Sequence, residues 1–205
     1  MLENEIQTVT FDLSAGQLSL DFVNTLDDRA SASPQEYLNS YDDLLAWNQQ
    51  AQTLMEAEAR RLREQAEKHP VKASDVLQRA IVLREALFRI FSAIAQGTSP
   101  EDEDLNILNS ALSEAMCHIR IVPQTAGFQW DWMAGPENLD RVLWPVVRSA
   151  ADLLTSDELS ETRICASENC DWLFLDTSKN HSRRWCNMKT CGNRAKARRH
   201  YERKR

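Results

Sequence analysis

Apolar and polar residues alternate at several points of the chain with the two-residue period of a β-strand. Two alternating runs within residues 6–23 lie on either side of the turn-forming residues 14–17 and predict a hairpin. Residues 118–122 and 128–132 alternate in the same way around a turn at Gly127 and predict a second hairpin. These runs are short, so the sequence predicts paired antiparallel strands rather than one large sheet.

Between these runs the apolar residues recur at helical spacing. The longest such segment, residues 74–96, predicts a helix that ends at Gly97. Residues 33–36 have the spacing of a capping box with Pro at the first helical position, and residues 40–43 can start the helix again. Another helix is predicted after Ser99-Pro100. The residues expected to face the core from that helix are Leu105, Ile107, Leu108, Leu112 and Met116.

The last helical pattern covers residues 136–154 and contains Pro145, which should kink or divide the helix. A short polar stretch, residues 155–163, follows it as a domain boundary. The chain has 205 residues, which is enough for two modest domains. We therefore predict a mostly helical α+β domain with a few antiparallel strands over residues 1–156, and a small second domain over residues 160–205.

Four of the five cysteines form two pairs with the same internal spacing, Cys165 with Cys170 and Cys186 with Cys191, and fifteen residues separate the pairs. Four soft thiolate ligands in this arrangement favour one tetrahedral Zn²⁺. With sulfur at all four positions the metal is structural, and it stabilises a segment too small to fold on its own apolar core. Two disulfides or four unrelated thiols are the alternatives, and the disulfides would require a secreted chain. Cys117 stands apart and is expected to be a buried core thiol.

The residues around the two cysteine pairs predict a treble-clef-like finger. Residues 171–176 and 181–186 predict the two strands of a hairpin around a polar turn, and the residues after the second pair are rich in helix formers. We call each cysteine pair with the residues between its cysteines a knuckle. The order along the chain is then a first knuckle, a hairpin, a second knuckle and a helix. Within this finger Asp176 is expected to form an ion pair with Arg184 or Arg194.

Charge divides the chain into an acidic and a basic part. Residues 161–205 contain twelve Lys and Arg against five Asp and Glu, whereas residues 1–160 contain twelve against twenty-six. A basic segment attached to a zinc-stabilised finger favours binding to nucleic acid phosphates. A solvated tail, or one folded back on the acidic domain, is the alternative. The predicted nucleic-acid-binding residues are Arg183, Arg184, Arg194, Lys196, Arg198, Arg199 and Arg203.

Two motifs in this part of the chain resemble a known family. Cys191-Gly192-Asn193-Arg194 resembles the motif that names the CGNR zinc finger family, and residues 174–178, 183–186 and 194–199 are similar to its neighbouring blocks. The resemblance covers about residues 160–205. It implies a zinc finger with a basic C-terminal helix.

The N-terminal part resembles a second family. Leu18-Ser19-Leu20-Asp21-Phe22-Val23-Asn24-Thr25-Leu26 is similar to the opening motif of the ABATE domain, and residues 84–88 and 148–154 resemble later blocks of it. That domain is described as a stress-induced transcription regulator domain. The two resemblances together imply a bacterial transcription regulator, in which a sensing or regulatory domain precedes a finger that contacts DNA.

Polar residues at the end of the first strand pattern raise a separate question of ligand binding. Asp21 and Asn24, with Arg84 on a helix that could face them, can form a pocket for an unknown small molecule. The alternative is structural: Asn24 or Thr25 starts a helix and Asp21 pairs with a buried Arg. The six Trp residues could likewise line a ligand site, but Trp47, Trp130, Trp132 and Trp144 fall at positions expected to face the core.

Catalytic chemistry is weakly represented in the sequence. The four His are scattered, and neither a Gly-rich phosphate loop nor a nucleophile elbow is found, so we expect no enzyme. His181 or His200 could replace a cysteine ligand, but the cysteines have the better spacing. No apolar run approaches the ~20 residues of a membrane span, and the start of the chain lacks the features of a signal peptide. A cytoplasmic protein is therefore expected.

Three functional hypotheses remain open from the sequence. The first is a transcription regulator that binds duplex DNA through the basic helix, as a homodimer if one finger covers too little DNA. The second is an RNA-binding module in which Trp185 stacks on bases. The third is a protein-interaction adaptor whose basic tail binds an acidic partner.

Overall fold

The structure is a computed structural model that describes residues 10–29, 31–133, 135, 137–168 and 170–202. The N-terminal part is mostly helical with two short antiparallel strand pairs, and the finger adds a third pair. In chain order the elements before the finger are α1 (Leu18–Val23), β1 (Leu26–Asp27), β2 (Gln35–Glu36), α2 (Tyr41–Gln50), α3 (Glu56–Lys68), α4 (Pro70–Ala95), α5 (Asp102–Met116), β3 (Ile119–Gln124), β4 (Gly127–Trp132), a 3₁₀ helix (Leu139–Leu143), α6 (Trp144–Leu154) and a second 3₁₀ helix (Asp157–Glu161). The finger contains β5 (Thr162–Ile164), β6 (Leu173–Leu175), a π-helical turn (Met188–Gly192) and α7 (Asn193–Glu202).

Several predicted elements are confirmed. Helix α2 starts after Ser40, as predicted, and Ser40 forms a capping box with Asp43. The long helix α4 begins a few residues before the predicted start, with Pro70 in its first turn, where a missing N–H is tolerated. The helix ends just before Gly97, which has the positive φ of +74° that favours glycine. The second predicted hairpin is formed by β3 and β4.

The predicted hairpin over residues 6–23 is wrong. Residues 6–9 lie outside the described part of the chain, and the second predicted strand is helix α1. All but the first residue of α1 are buried, including Ser19 and Asp21, so the helix has no exposed face. In so short a segment, alternation does not distinguish a strand from a helix that is buried on every side.

A helix starting at residues 33–36 is also wrong. Gln35 and Glu36 form strand β2, which pairs with β1 in an antiparallel arrangement. The Glu36 carboxylate does not cap a helix, because it accepts two hydrogen bonds from the Arg84 guanidinium at 2.6 and 2.7 Å. A bidentate ion pair with a buried Arg therefore replaces the local capping interaction.

The region of the last predicted helix is divided, as Pro145 suggests. Residues Leu139–Leu143 form a 3₁₀ helix, and α6 starts at Trp144. Pro145 lies in the first turn of α6, where it removes no hydrogen bond of the helix. Pro136, at the predicted start, lies outside the described residues.

Three expectations about burial are wrong and one helix is missed. Met116 is 46 % exposed, Cys117 is exposed, and Trp130 is 53 % exposed. Met116 and Cys117 lie at the end of α5, where Ala115 is the buried residue instead. Helix α3 has no predicted counterpart because its buried residues are Ala59 and Leu62, too few to give a helical apolar pattern.

The core is centred on α4 and continues into the finger. Helix α4 packs against α1, α2, α3 and α5, and it also contacts β5. One cluster of buried apolar residues contains side chains of the helices together with Leu173, Phe174 and Leu175 of β6. The predicted division into two domains stays a prediction, and the described residues of both parts share this core. No helix among the described residues is both long and apolar enough to span a bilayer.

Candidate metal centre and basic helix

The first cysteine pair lies in the connection between the two strands of the finger. Strand β5 pairs with β6 in antiparallel register, from Thr162 opposite Leu175 to Ile164 opposite Leu173. The predicted hairpin between residues 171–176 and 181–186 is therefore wrong: β6 is a strand, but its partner precedes the first cysteine. The Cys165 N–H donates to the Trp172 carbonyl at 2.9 Å, which closes the knuckle at the end of the ladder.

Asp176 organises the loop that follows β6. It is fully buried and accepts hydrogen bonds from the N–H groups of Ser178 at 3.0 Å and Arg183 at 2.9 Å. Its expected ion pair with Arg184 or Arg194 does not form. Burial raises the pKa of Asp176, but hydrogen bonds from the Ser178 hydroxyl and from the two N–H groups outweigh that effect and lower it. The Asp176 carboxylate thus accepts the backbone hydrogen bonds that a neighbouring strand would otherwise accept from this loop.

The four predicted ligands Cys165, Cys170, Cys186 and Cys191 come together in one cluster. Their sulfur atoms all lie within 4.8 Å of one another. The Sγ atoms of Cys170 and Cys186 are 3.6 Å apart, and those of Cys186 and Cys191 are 3.7 Å apart. A tetrahedral Zn²⁺ with Zn–S bonds of about 2.3 Å places its sulfur ligands about 3.8 Å from each other. The cluster therefore has the dimensions of a site for one such ion.

The ionisation of each sulfur atom in the cluster depends strongly on its neighbours. Hydrogen bonds from Cys170 and Cys186 lower the pKa of the Cys165 thiol, and the reciprocal interactions raise the pKa values of the other two. Three of the four cysteines are buried. Several thiolates can exist together in such a place only if a positive ion compensates them.

The second cysteine pair leads directly into the basic helix. The Asn187 side chain accepts a hydrogen bond from the Lys189 N–H at 2.9 Å and starts the π-helical turn. Cys191 and Gly192 are buried at the end of this turn, and α7 begins at the next residue. A metal bound to Cys191 would thus fix the start of α7. The helix itself contains no buried residue.

The predicted nucleic-acid-binding residues fall into several environments. Arg184 and Arg199 both lie near Trp185, with their guanidinium carbons 5.5 and 5.9 Å from the ring centre. Arg198 forms ion pairs with Glu168 and Glu202. Arg194 and Lys196 are exposed, and neither forms an ion pair within the described part of the chain.

Arg183 differs from the other predicted contacts. Its guanidinium donates to the carbonyl groups of Trp185 at 3.0 Å and of Cys186, and it lies 4.5 Å above the Phe174 ring. These bonds join the second knuckle to β6, so Arg183 serves the finger's own structure. Arg203 lies outside the described residues.

Neither histidine of the finger joins the sulfur cluster. The His181 Nδ1 atom lies 2.7 Å from a Glu161 carboxylate oxygen, and the His200 ring contacts Tyr201. Within the described residues, the four cysteines are the only group of three or more His, Cys, Asp or Glu side chains arranged to hold a metal. This fits a cysteine-only ligand set.

The three residues of the predicted small-molecule pocket do not form one site. Asp21 and Asn24 border a cavity of about 80 Å³ next to Trp172, but Arg84 does not line it. Arg84 pairs with Glu36 and Glu85, so the expected pairing of Asp21 with a buried Arg is wrong as well. Asp21 instead accepts a hydrogen bond from the Ala15 N–H at 2.9 Å.

Asn24 connects the N-terminal part to the finger. It ends α1 rather than starting a helix. Its side chain donates to the Leu173 carbonyl at 2.8 Å and accepts from the Leu173 N–H at 3.0 Å. The Leu175 N–H donates to the Ala15 carbonyl at 2.8 Å on the same side of β6. Sequence reasoning missed this connection, because a side-chain amide that pairs with a strand 149 residues away leaves no local pattern.

Comparisons with known proteins agree with this arrangement. The ABATE family model, described as "Putative stress-induced transcription regulator", matches residues 16–157. The CGNR zinc finger model matches residues 162–204, which include the sulfur cluster and α7. None of the curated proteins compared with the chain matches it. The four close cysteines in a CGNR zinc finger can hold one structural Zn²⁺. Because the first match covers more than half of its residues, the chain belongs to the ABATE family and carries a CGNR zinc finger after the ABATE domain.

Proposed function

We propose that this protein is a transcription regulator that binds duplex DNA through its zinc-stabilised finger. The observation that carries the proposal is α7, a helix with no buried residue that presents basic side chains beside the sulfur cluster. An exposed basic helix held at one end by a metal is suited to contact the phosphates of a duplex. In this proposal the zinc is structural and the protein has no catalytic role.

Charge supports nucleic acid rather than an apolar partner for this helix. Arg194 and Lys196 are exposed and free of ion pairs with described residues, and Arg184 and Arg199 border Trp185. The acidic residues lie mostly in the ABATE part, and they would repel phosphates over a Debye length of only about 8–10 Å. The finger can therefore attract DNA although the whole chain has a net charge of −7.

One copy of α7 would contact only a few base pairs. Regulators of this kind commonly gain affinity by binding two half-sites as a dimer. We therefore include a homodimer on DNA in the proposal. The sign of regulation and the inducing signal are left open.

The test is binding of the zinc-loaded full chain to labelled duplex DNA over a range of salt concentrations. The variant Arg194→Ala/Lys196→Ala removes two exposed cations from α7. The control Arg60→Ala/Arg61→Ala also removes two exposed cations, but from α3, so the two variants have the same net charge. We expect the α7 variant to bind more weakly and to reduce the slope of log K against log salt by about 2, since each phosphate contact adds about 0.9. The control should leave the slope unchanged.

Competing outcomes are distinguishable in the same assay. Displacement of labelled duplex by structured RNA at much lower concentration than by duplex DNA would support an RNA-binding module instead. An equal loss of affinity in both double variants would show that only net charge matters. If neither nucleic acid binds the zinc-loaded chain at low salt, the proposal is overturned in favour of a protein-interaction adaptor.

A further inference from the structure

A second candidate site lies in the ABATE domain, away from the finger. A cleft of about 710 Å³ opens between α4, α5 and the 3₁₀ helix that leads into α6. None of its lining residues belongs to residues 161–202. It is also separate from the small cavity beside Asp21. Its volume is in the range of about 300–1,000 Å³ that is usual for small-molecule pockets.

The walls of the cleft are mainly apolar. Side chains of α4, α5, the 3₁₀ helix and α6 contribute to these walls. They include Val82 of α4, Ile107 and Ala111 of α5, Leu143 of the 3₁₀ helix and Val147 of α6. Val82 is 52 % exposed and lines the cleft on the side of α4 opposite residues of α5. An apolar body that fills the cleft would remove this surface from water.

The charged residues of the cleft are predominantly acidic. Among the described residues of its lining, Arg79 is the only basic one, and its guanidinium is already paired with Glu114 at 3.1 Å. Glu103 and Asp140 also line the cleft, and neither forms an ion pair with another described residue. The cleft as a whole therefore carries an excess of negative charge.

Asp140 is the polar residue that gives the cleft its chemical character. It is 8 % exposed, and one carboxylate oxygen accepts a hydrogen bond from the Trp144 indole N–H at 3.2 Å. Trp144 lines the same cleft and is itself buried. A carboxylate at a largely apolar site is stabilised most by a positive charge.

We propose that this cleft binds a small organic cation, a molecule with an apolar, preferably aromatic body and a single positive charge that lies against Asp140. The apolar walls would bury the body, and the carboxylate would compensate the charge. A segment of another protein is a poorer fit, because the volume is that of a small molecule and charged side chains surround it. The inference does not depend on DNA binding.

The helices that line the cleft also contact the strands of the finger or the segment that leads into them. Helix α4 lines the cleft and also contacts β5 and β6, and α6 contacts the second 3₁₀ helix, which leads directly into β5. A ligand that tightens the packing of these helices would therefore act on elements that support the finger.

The test uses tetraphenylphosphonium as a cationic probe and tetraphenylborate as a probe of the same shape and opposite charge. Titration calorimetry with the zinc-loaded full chain should show saturable binding of one phosphonium ion per chain and much weaker binding of the borate. Asp140→Asn keeps the shape and an acceptor for Trp144 but removes the charge. We expect it to weaken phosphonium binding by about thirtyfold or more, as for loss of one partner of a buried charge pair. Asp75→Asn, an exposed carboxylate of α4 outside the cleft, should leave the affinity unchanged.

A second variant tests the volume without changing the charge. Ala111→Trp fills the cleft from α5 and should abolish binding, while thermal unfolding confirms that each variant is folded. The proposal is overturned if borate binds as well as phosphonium. It is also overturned if Asp140→Asn, or Ala111→Trp, binds with the affinity of the wild type, or if the only change seen is self-association of the chain.

Discussion

At the scale of single residues, the most consequential side chains are polar groups buried between the ABATE helices and the finger. Asn24 makes two hydrogen bonds to the backbone of Leu173, which is the role a neighbouring strand would have. Asp21 lies one turn earlier in α1 and is 9 % exposed. Burial raises the pKa of the Asp21 carboxyl to about 7, the Ala15 N–H opposes this, and the charge of Asp12 adds to it.

The pKa of Asp21 leads to a prediction about stability and pH. In the unfolded chain this carboxyl ionises at its ordinary value of 3.8, whereas in the folded protein it ionises near 7. The stabilisation provided by its neutral form is complete below the lower value and is lost as pH rises through the higher one. Asp21→Asn cannot ionise and keeps an acceptor for Ala15. Its stability relative to the wild type should therefore grow by about 2 kcal/mol between pH 5.5 and pH 8.

Urea unfolding of both proteins at the two pH values measures this difference. The groups that titrate in both proteins cancel in the comparison, so the wild type serves as the reference at each pH. A stability difference that stays constant from pH 5.5 to pH 8 would contradict the elevated pKa. A difference that shrinks as pH rises would contradict its direction.

At the scale of elements, the finger depends on its two knuckles more than on its strands. Strands β5 and β6 have three residues each, and such a pair is not stable in isolation. The knuckles between and after them bring the four sulfur atoms together, and α7 starts directly after the second knuckle. A metal that joins the knuckles therefore also orients α7.

Replacing single cysteines tests this dependence. Cys186→Ser removes the sulfur atom that lies 3.6 Å from Cys170 and 3.7 Å from Cys191. We expect this variant to lose its zinc and the protection of the α7 amides, because a structural ion supplies folding energy to so small a unit. Cys117→Ser, at an exposed thiol outside the cluster, should keep about one zinc per chain.

Elemental analysis and amide hydrogen exchange are the two measurements. Zinc retained in Cys186→Ser with unchanged exchange in residues 187–202 would show that the finger does not need the cluster. Zinc lost from Cys117→Ser would show that the metal is bound elsewhere.

At the scale of the whole molecule, the described part of the chain has one continuous core. The buried cluster includes side chains of α1, α2 and α4 together with Leu173, Phe174 and three of the cysteines. Arg29 adds a polar connection, since its N–H donates to the Asp171 carboxylate at 3.1 Å. The ABATE helices and the finger are therefore expected to unfold together rather than as independent domains.

Two phenylalanine variants examine this cooperativity. Phe174 is fully buried in β6, whereas Phe128 of β4 is 78 % exposed. Phe174→Ala should lower the free energy of unfolding by about 3–5 kcal/mol and shift one common transition, including the amides of α4. Phe128→Ala should change it by less than about 0.5 kcal/mol. Two separate transitions in Phe174→Ala, with α4 unaffected, would show that the finger unfolds alone.

Local patterns in the sequence were sufficient to predict those elements whose interacting residues lie close together in the chain. The helix start at residues 40–43, the apolar spacing of α4 and the position of Gly97 predicted helices that the structure confirms. The paired cysteines predicted a sulfur cluster because two cysteine pairs with this spacing are typical ligands of one tetrahedral metal ion. In these cases the residues that interact lie close together in the chain or belong to a motif with fixed spacing.

Long-range contacts decided the rest. The alternating pattern over α1 predicts a strand because the helix is buried on every side, and that burial comes from distant helices and from β6. The pairing of β5 with β6, the internal role of Arg183, the link from Asn24 to Leu173 and the acidic cleft beside Asp140 all join residues of different elements. Such contacts depend on how the elements pack, and packing leaves no periodic signal in a single sequence.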